Sequence, residues 1–198
     1  GNPPYLGSKW QTDEQKAELR AVFDSRTSGW KSMDYVAAWF MKAADYGTTT
    51  ETVVAFVSTN SICQGLQVPL LWPLIFSTGH RIVFAHTSFS WSNLASHNAG
   101  VTVAIVGMAR GGAMTPRIFA LADGEQVVER SVPNINAYLV AGPNTVVEQA
   151  RSPMSGVSTM LFGNMPRDGG HFILSSDERD AALRAYPELG PFVRQYLG

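Results

Sequence analysis

Asn2-Pro3-Pro4-Tyr5 is the stretch of this chain whose residue types and order point most directly to chemistry. Two adjacent prolines lack amide hydrogens and fix φ, so they join neither a helix interior nor a central strand. A residue that precedes proline is also driven into an extended conformation. Asn2 and Pro3 therefore hold their oxygens preset, outside the hydrogen-bond ladders of regular structure, and the ring of Tyr5 follows at once. Fixed acceptors beside a flat aromatic surface suit a planar group that carries donors. The same four residues also describe a rigid turn at a domain edge, and the tetrapeptide alone does not choose between the two.

The other reactive side chains form no comparable set. His80 and His86 bracket one strand, His97 lies in a polar connection and His171 is remote, so metal-ligand spacing is absent. His86 is expected to be a hydrogen-bonded structural residue. The single Cys63 excludes an intrachain disulfide and any multi-cysteine site, a usage that fits a reducing compartment.

These residues need a scaffold. With 198 residues, 45% of them hydrophobic and 16% charged, the chain is globular in composition and suffices for one large domain, or one domain and part of another. A net charge of -1 gives no bulk attraction to nucleic acid, so such contact requires a local basic surface or protein outside the chain. No signal peptide is visible, and no apolar run approaches the length of a membrane span. A functional constellation at an extreme N-terminus has nothing to order it, so the chain is read as a fragment of a longer polypeptide.

"TDEQKAELRAVF" is predicted to be a helix, with Thr12 as N-cap and Gln15 three residues on. "SMDYVAAWFMKAADYG" is predicted to be a second helix, capped by Ser32, closed by Gly47, with an apolar face through Tyr35, Ala38, Trp39 and Met41. The β-branched run "TVVAFVSTNSI" reads as a strand buried on both faces of a parallel sheet. A short helix interrupted by Pro69 and Pro73 follows, then the strands "RIVFAHTSF" and "VTVAIVGMA". This order predicts an open α/β sheet covered by helices, with ligands beyond the carboxyl ends of its strands. Those ends are "STNSICQG" and "HTSFSW". Beyond residues 125–135 turn residues dominate and only "SDERDAALRAY", capped by Ser176 or Asp177, reads as helical. The domains expected are 1–130 and an irregular extension over 131–198.

Taken together, "NPPY", "MDYVAAWFMKAADY", "VVAFVSTNSICQGLQVPLLWPLIF" and "IVFAHTSFSWSNLASHNAGVTVAIVGM" resemble the catalytic half of an amino-directed DNA methyltransferase. The chain most closely resembles the MmeI-like adenine-N6 methyltransferases, which are fused restriction–modification enzymes. Its tail, "INAYLVAGPNTVVEQARSPMSG" through "LFGNMPRDGGHFILS", resembles the passage of that family into its target-recognition domain. The resemblance implies a Rossmann-like sheet of which this chain is the C-terminal half, S-adenosylmethionine as methyl donor, double-stranded DNA as substrate, and a cytoplasmic bacterial or archaeal setting. The family's glycine-rich donor loop and its acidic-plus-lysine nuclease site precede "NPPY" and are absent from this sequence. The isolated chain is therefore expected to be inactive, and its partner is the N-terminal part of the same polypeptide. A strand at Thr52–Ser58 without that neighbour would present an apolar edge and favour self-association.

The chemistry of the reaction suits these residues. Adenine's exocyclic amine is a poor nucleophile because its lone pair is delocalised into the ring. Two acceptors aimed at its hydrogens stabilise the charge that develops as nitrogen is methylated. The Asn2 side-chain oxygen and the Pro3 carbonyl supply them, Pro4 keeps the geometry, and Tyr5 offers its face to a base turned out of the duplex. Phe89 is the second candidate for contact with that base, with Trp91 as its substitute, although aromatics at strand ends ordinarily pack. Lys9 and Lys31 are candidates for phosphates. Asp34 is the candidate to approach the donor or the catalytic loop, or else it favours the helix dipole. Ser58, Thr59 and Asn60 either line the cleft or cap the next helix. Asp168 in "PRDGG" is first a turn former and second a DNA-facing residue. The competing reading is a non-catalytic DNA-binding or assembly module with the same sheet. An unrelated α/β enzyme is disfavoured because its catalytic constellation is missing.

Overall fold

A computed structural model of the chain describes residues 1–91, 101–122, 126–150, 152–153, 155–158 and 169–195. His97, Asp168 and positions 92–100 of the polar connection lie outside the described residues. Two compact units are present, Gly1–Gln149 and Ala150–Gly198.

The first unit begins with α1 (Asp13–Phe23), closed by the expected capping box. Thr12 Oγ1 accepts from the Gln15 amide, and Gln15 Oε1 accepts from the Thr12 amide. Next come a 3₁₀ turn at Ser28–Ser32 and α2 (Val36–Gly47). Ser32 does not cap α2 as the sequence predicted, because it belongs to the 3₁₀ turn, which is capped by Thr27. Asp34 instead accepts the Val36 amide at 3.1 Å. The buried face of α2 is Val36, Ala37, Phe40, Met41 and Ala44, whereas Trp39 is 43% exposed.

β1 (Val54–Thr59) leads through a 3₁₀ turn at Asn60–Cys63 into α3 (Gln67–Ser77). α3 runs through both prolines without interruption. Pro69 falls in the first turn, where its amide would have no intrahelical partner. Pro73 is on the exposed side, where water can satisfy the carbonyl it releases. β2 (His80–Trp91), β3 (Val101–Arg110), β4 (Arg117–Ala122) and β5 (Gln126–Ser131) complete a sheet ordered β1-β3-β2-β4-β5.

β1 and β2 each pair antiparallel with β3, and β2 pairs parallel with β4. The expected all-parallel environment of β1 is thus replaced by an antiparallel neighbour, and five of its six residues are only half-buried. Because β1 and β2 run in the same direction, their carboxyl ends share one end of the sheet. The hairpin β4–β5 was not recognised in the sequence, since the residues of β5 are all exposed and show no buried alternation.

Register sorts the faces. Phe56, Val106 and Ala85 are cross-strand partners. Phe56 meets Phe40 of α2 edge-on at 5.1 Å, so this face carries the helical layer. The core there includes Leu19, Phe23, Phe40, Met41, Leu71, Trp72, Ile75, Ile82 and Met108, each at most 1% exposed. Full burial of such a side chain contributes about 1.5–3 kcal/mol. In the second unit α4 (Ser176–Ala185) is capped by Ser175, one residue before the predicted caps, and buries none of its residues. Among the described residues no helix is long and apolar enough to cross a membrane.

His80 lies where α2, α3 and β2 meet, with Nδ1 2.7 Å from Thr78 Oγ1. A Cβ at Gly47 would fall 2.3 Å from its Nε2, so glycine there makes room for the ring. Burial, and then the charge of Arg110, hold the imidazole below its usual pKa of 6.5. The folded state thus prefers the neutral ring, while the unfolded chain takes up its proton first as pH falls. This contribution is whole above about pH 6.5 and is lost progressively below it. Melting temperature should fall between pH 7.5 and 5.5 by less in His80→Gln than in wild type. Equal slopes would assign the pH dependence to other groups.

Candidate active site

The tetrapeptide departs from the edge of β1. The Gly1 amino group donates to the Ala55 carbonyl at 2.7 Å, and the Val57 amide donates to the Gly1 carbonyl at 2.9 Å. That is the pattern of a parallel ladder with Gly1 opposite Phe56. Asn2 onward consequently leaves the sheet near the carboxyl end of β1, the end at which the sequence placed the chemistry. An apolar groove of about 560 Å³ borders the same edge, lined by Val22, Tyr35, Trp39, Ala43, Val54 and Phe56 among others.

Within the tetrapeptide Asn2 and Pro4 are exposed, Pro3 is buried, and Tyr5 is half-buried against the core. Among the described residues neither the Asn2 carboxamide nor the Pro3 carbonyl has a hydrogen-bond partner. Neither oxygen is committed to a bond within the described residues, and Asn2 is the exposed one of the two. Tethering resumes at Leu6. Its amide donates to Asp34 Oδ1 at 2.9 Å, and its carbonyl accepts from Gln11 Nε2 at 2.8 Å and from the Tyr35 amide at 3.0 Å. A turn closed by the Trp10 amide on the Gly7 carbonyl then presents Lys9 and Trp10, both exposed, Trp10 by 79%.

Asp34 reaches the loop, one of the two places expected for it, through a side chain that is almost fully buried. Its Oδ1 serves both the Leu6 and the Val36 amides. Lys31 lies over the Trp30 ring, 5.7 Å from the centroid. Ser58 is fully buried and its hydroxyl has no partner among the described residues, while Thr59 Oγ1 is 2.7 Å from Ser61 Oγ. Thr59 occupies the cap position of the following 3₁₀ turn without a side-chain capping bond.

Phe89 and Trp91 come to the same end of the sheet by way of β2. Phe89 and Thr59 are both partners of Val103, so the three form one row across the strands. An irregularity between His86 and Phe89 inserts an extra residue on β2. It lets Phe89 share a face with His86, whose ring it meets at 4.6 Å, and with Trp91 at 6.2 Å. His86 Nδ1 is 3.0 Å from the Thr87 carbonyl. By register this face is opposite the helical layer. From Gly1 to β2 there are three strand spacings, about 14 Å in all. The structure therefore gathers Asn2, Tyr5, Ser58, Thr59 and Phe89 at one end of the sheet but does not bring Phe89 against the tetrapeptide.

A family model described as the DNA-methyltransferase domain of MmeI matches residues 1–120. The chain belongs to the MmeI family of DNA methyltransferases. The MmeI target recognition domain matches residues 141–198. DNA methyltransferase A of Bacillus subtilis (strain 168) is 41% identical over 198 residues, which is 100% of this chain and 22% of that protein. A solved structure of the Type IIL restriction-modification enzyme MmeI in complex with DNA is 38% identical, with a TM-score of 0.88 over 100% of this chain and 27% of that one. The chain thus spans about a quarter of the length of these relatives.

In this MmeI-family chain the five-stranded mixed sheet and its helices are part of a Rossmann-like methyltransferase sheet, as the sequence implied. Two residues that fasten the loop, Gln11 and Gln67, were not singled out. A glutamine that binds backbone groups, such as buried Gln11 or half-buried Gln67, has no periodicity or spacing of its own, whereas the polar run "STNSICQG" points to Ser58, Thr59 and Asn60.

Proposed function

We propose that this chain carries the base-binding and amine-activating residues of a site-specific adenine-N6 DNA methyltransferase of a restriction–modification system. The observation that carries the reading is the pair of unpartnered oxygens at Asn2 and Pro3, held beside Tyr5 at the carboxyl end of the sheet's edge. In this reading the duplex turns an adenine out of its stack. The Asn2 oxygen and the Pro3 carbonyl accept hydrogen bonds from its exocyclic amine, so that the nitrogen lone pair localises and positive charge on nitrogen is stabilised. No strong base is required, because the proton becomes acidic only after the new C–N bond has formed and then leaves to water. Tyr5 recovers part of the lost stacking, about 1–3 kcal/mol. Phe89, with Trp91 6.2 Å from it, is not within stacking distance of the same base in this arrangement and would contact the displaced DNA only after the loop or the DNA moves toward it, and Lys9 meets phosphate.

S-adenosylmethionine supplies the methyl group. Asp34, the residue expected near it, has one carboxylate oxygen engaged by two backbone amides. In this reading donor binding belongs chiefly to other parts of the full-length protein, as the resemblance to the family implies.

The test is the identity of the product. Full-length protein incubated with methyl-labelled donor and duplex DNA should yield label in N6-methyladenine after digestion to nucleosides. Label in a cytosine derivative would overturn the adenine assignment, and DNA binding without label would favour the non-catalytic module.

A further inference from the structure

We propose that Asp34, Gln67 and Gln11 are positioning residues for the methyl-transfer loop, an inference that rests on the role proposed above for Asn2-Pro3-Pro4-Tyr5. The tetrapeptide cannot fasten itself. Pro3 and Pro4 have no amide hydrogens, and among the described residues the Asn2 and Tyr5 amides have no acceptor. Its hydrogen bonds lie only at its two ends, at Gly1 on β1 and at Leu6, while buried Pro3 and half-buried Tyr5 pack between them.

The Leu6 end is held by side chains brought from three separate segments. Asp34 Oδ1 takes the Leu6 amide at 2.9 Å. Gln11 Nε2 donates to the Leu6 carbonyl at 2.8 Å and to the Met33 carbonyl at 3.0 Å, tying the loop to the segment that carries Asp34. Asp34 is itself placed by the first residue of α3: its amide donates to Gln67 Oε1 at 2.9 Å, while Gln67 Nε2 donates to the Ser32 carbonyl at 3.0 Å. Gln11 and Asp34 are 6% and 7% exposed, so water is a poor substitute for either partner. The chain of contacts therefore runs from α3 to residues 32–34, to Leu6, and so to Tyr5 and the acceptor oxygens. Because φ is fixed at both prolines, fewer backbone torsions are left to absorb a displacement at Leu6 before it reaches those oxygens.

Misplacement of a reacting group by about 1 Å lowers rates about 10²-fold. In the full-length protein, Asp34→Ala should slow single-turnover methyl transfer by about 10²-fold, with KM for DNA within about threefold of wild type. Asp34→Asn keeps an oxygen for both amides and should recover the rate to within about fivefold. Gln67→Leu retains bulk without the two bonds and should slow transfer by about tenfold. If Asp34→Ala does not fold, the other two variants carry the test.

Rates of Asp34→Ala and Gln67→Leu within threefold of wild type would overturn the inference. So would an Asp34→Asn variant as slow as Gln67→Leu or slower, or a KM for DNA that rises in step with the lost rate, the mark of a merely structural role. Asn2→Ala, assayed alongside, separates the two levels. An inactive Asn2→Ala with unimpaired Asp34 and Gln67 variants removes only the positioning network, whereas an active Asn2→Ala removes the reading beneath it.

Discussion

Asn2→Ala in the full-length protein should lower methyl transfer to DNA by roughly 10²–10³-fold while affinity for DNA stays within a few-fold of wild type. The two effects separate because the Asn2 oxygen interacts most strongly with an amine that is gaining positive charge. In the ground state the same amine is nearly neutral and its hydrogen bonds are ordinary. Removal of a preorganised acceptor therefore weakens the transition state more than the bound complex. Asn2 is exposed and without a partner among the described residues, so alanine leaves no buried group unsatisfied and the fold should not change. Single-turnover transfer of labelled methyl, paired with a DNA-binding isotherm, checks both halves. Wild-type methylation by Asn2→Ala would remove the assigned role, and parallel loss of binding and transfer would recast Asn2 as a DNA contact.

Trp72→Ala should destabilise the protein by about 3–5 kcal/mol, read from the denaturant midpoint. Trp72 is fully buried between Phe40, 5.9 Å away and edge-on, and Phe76 at 5.6 Å. Its Nε1 also donates to the Ile62 carbonyl at 2.8 Å. Trp72→Phe keeps most of the volume but leaves that buried carbonyl unpaired, so about 1–3 kcal/mol is expected. Ile62 belongs to the turn directly after β1, and Gln67 opens the helix that contains Trp72. The same side chain thus braces both the end of β1 and the helix from which Asp34 is held. A midpoint for Trp72→Ala within experimental error of wild type would mean that this end of the core is not the one described.

What could be read from the sequence was mostly local. Thr12 and Gln15 made a capping box because the two groups are three residues apart on one turn. Ser32 misled for the opposite reason: a cap is chosen by where the first helical amide falls, and here Asp34 reached that amide. β1 read as a buried parallel strand because its residues are apolar. Its pairing with β3, however, depends on residues 44–54 positions away and leaves its other edge to Gly1. For the site, the resemblance to the MmeI family put Asn2, Tyr5 and Phe89 in one reaction, but not their spacing. Phe89 lies on the face opposite the helices because of one extra residue between it and His86, and no pattern along β2 announces that insertion.

The sequence by itself determined the family, the helices and strands around the tetrapeptide, and the stiff extended path of the tetrapeptide, since proline geometry and helix capping act between near neighbours. The tertiary structure alone decided which oxygens stay free, how the sheet is ordered and what clamps the loop. The reason is physical: Asp34 lies 28 residues from Leu6 and Gln67 lies 33 from Asp34. Bonds over such separations exist only once the core has brought the segments together.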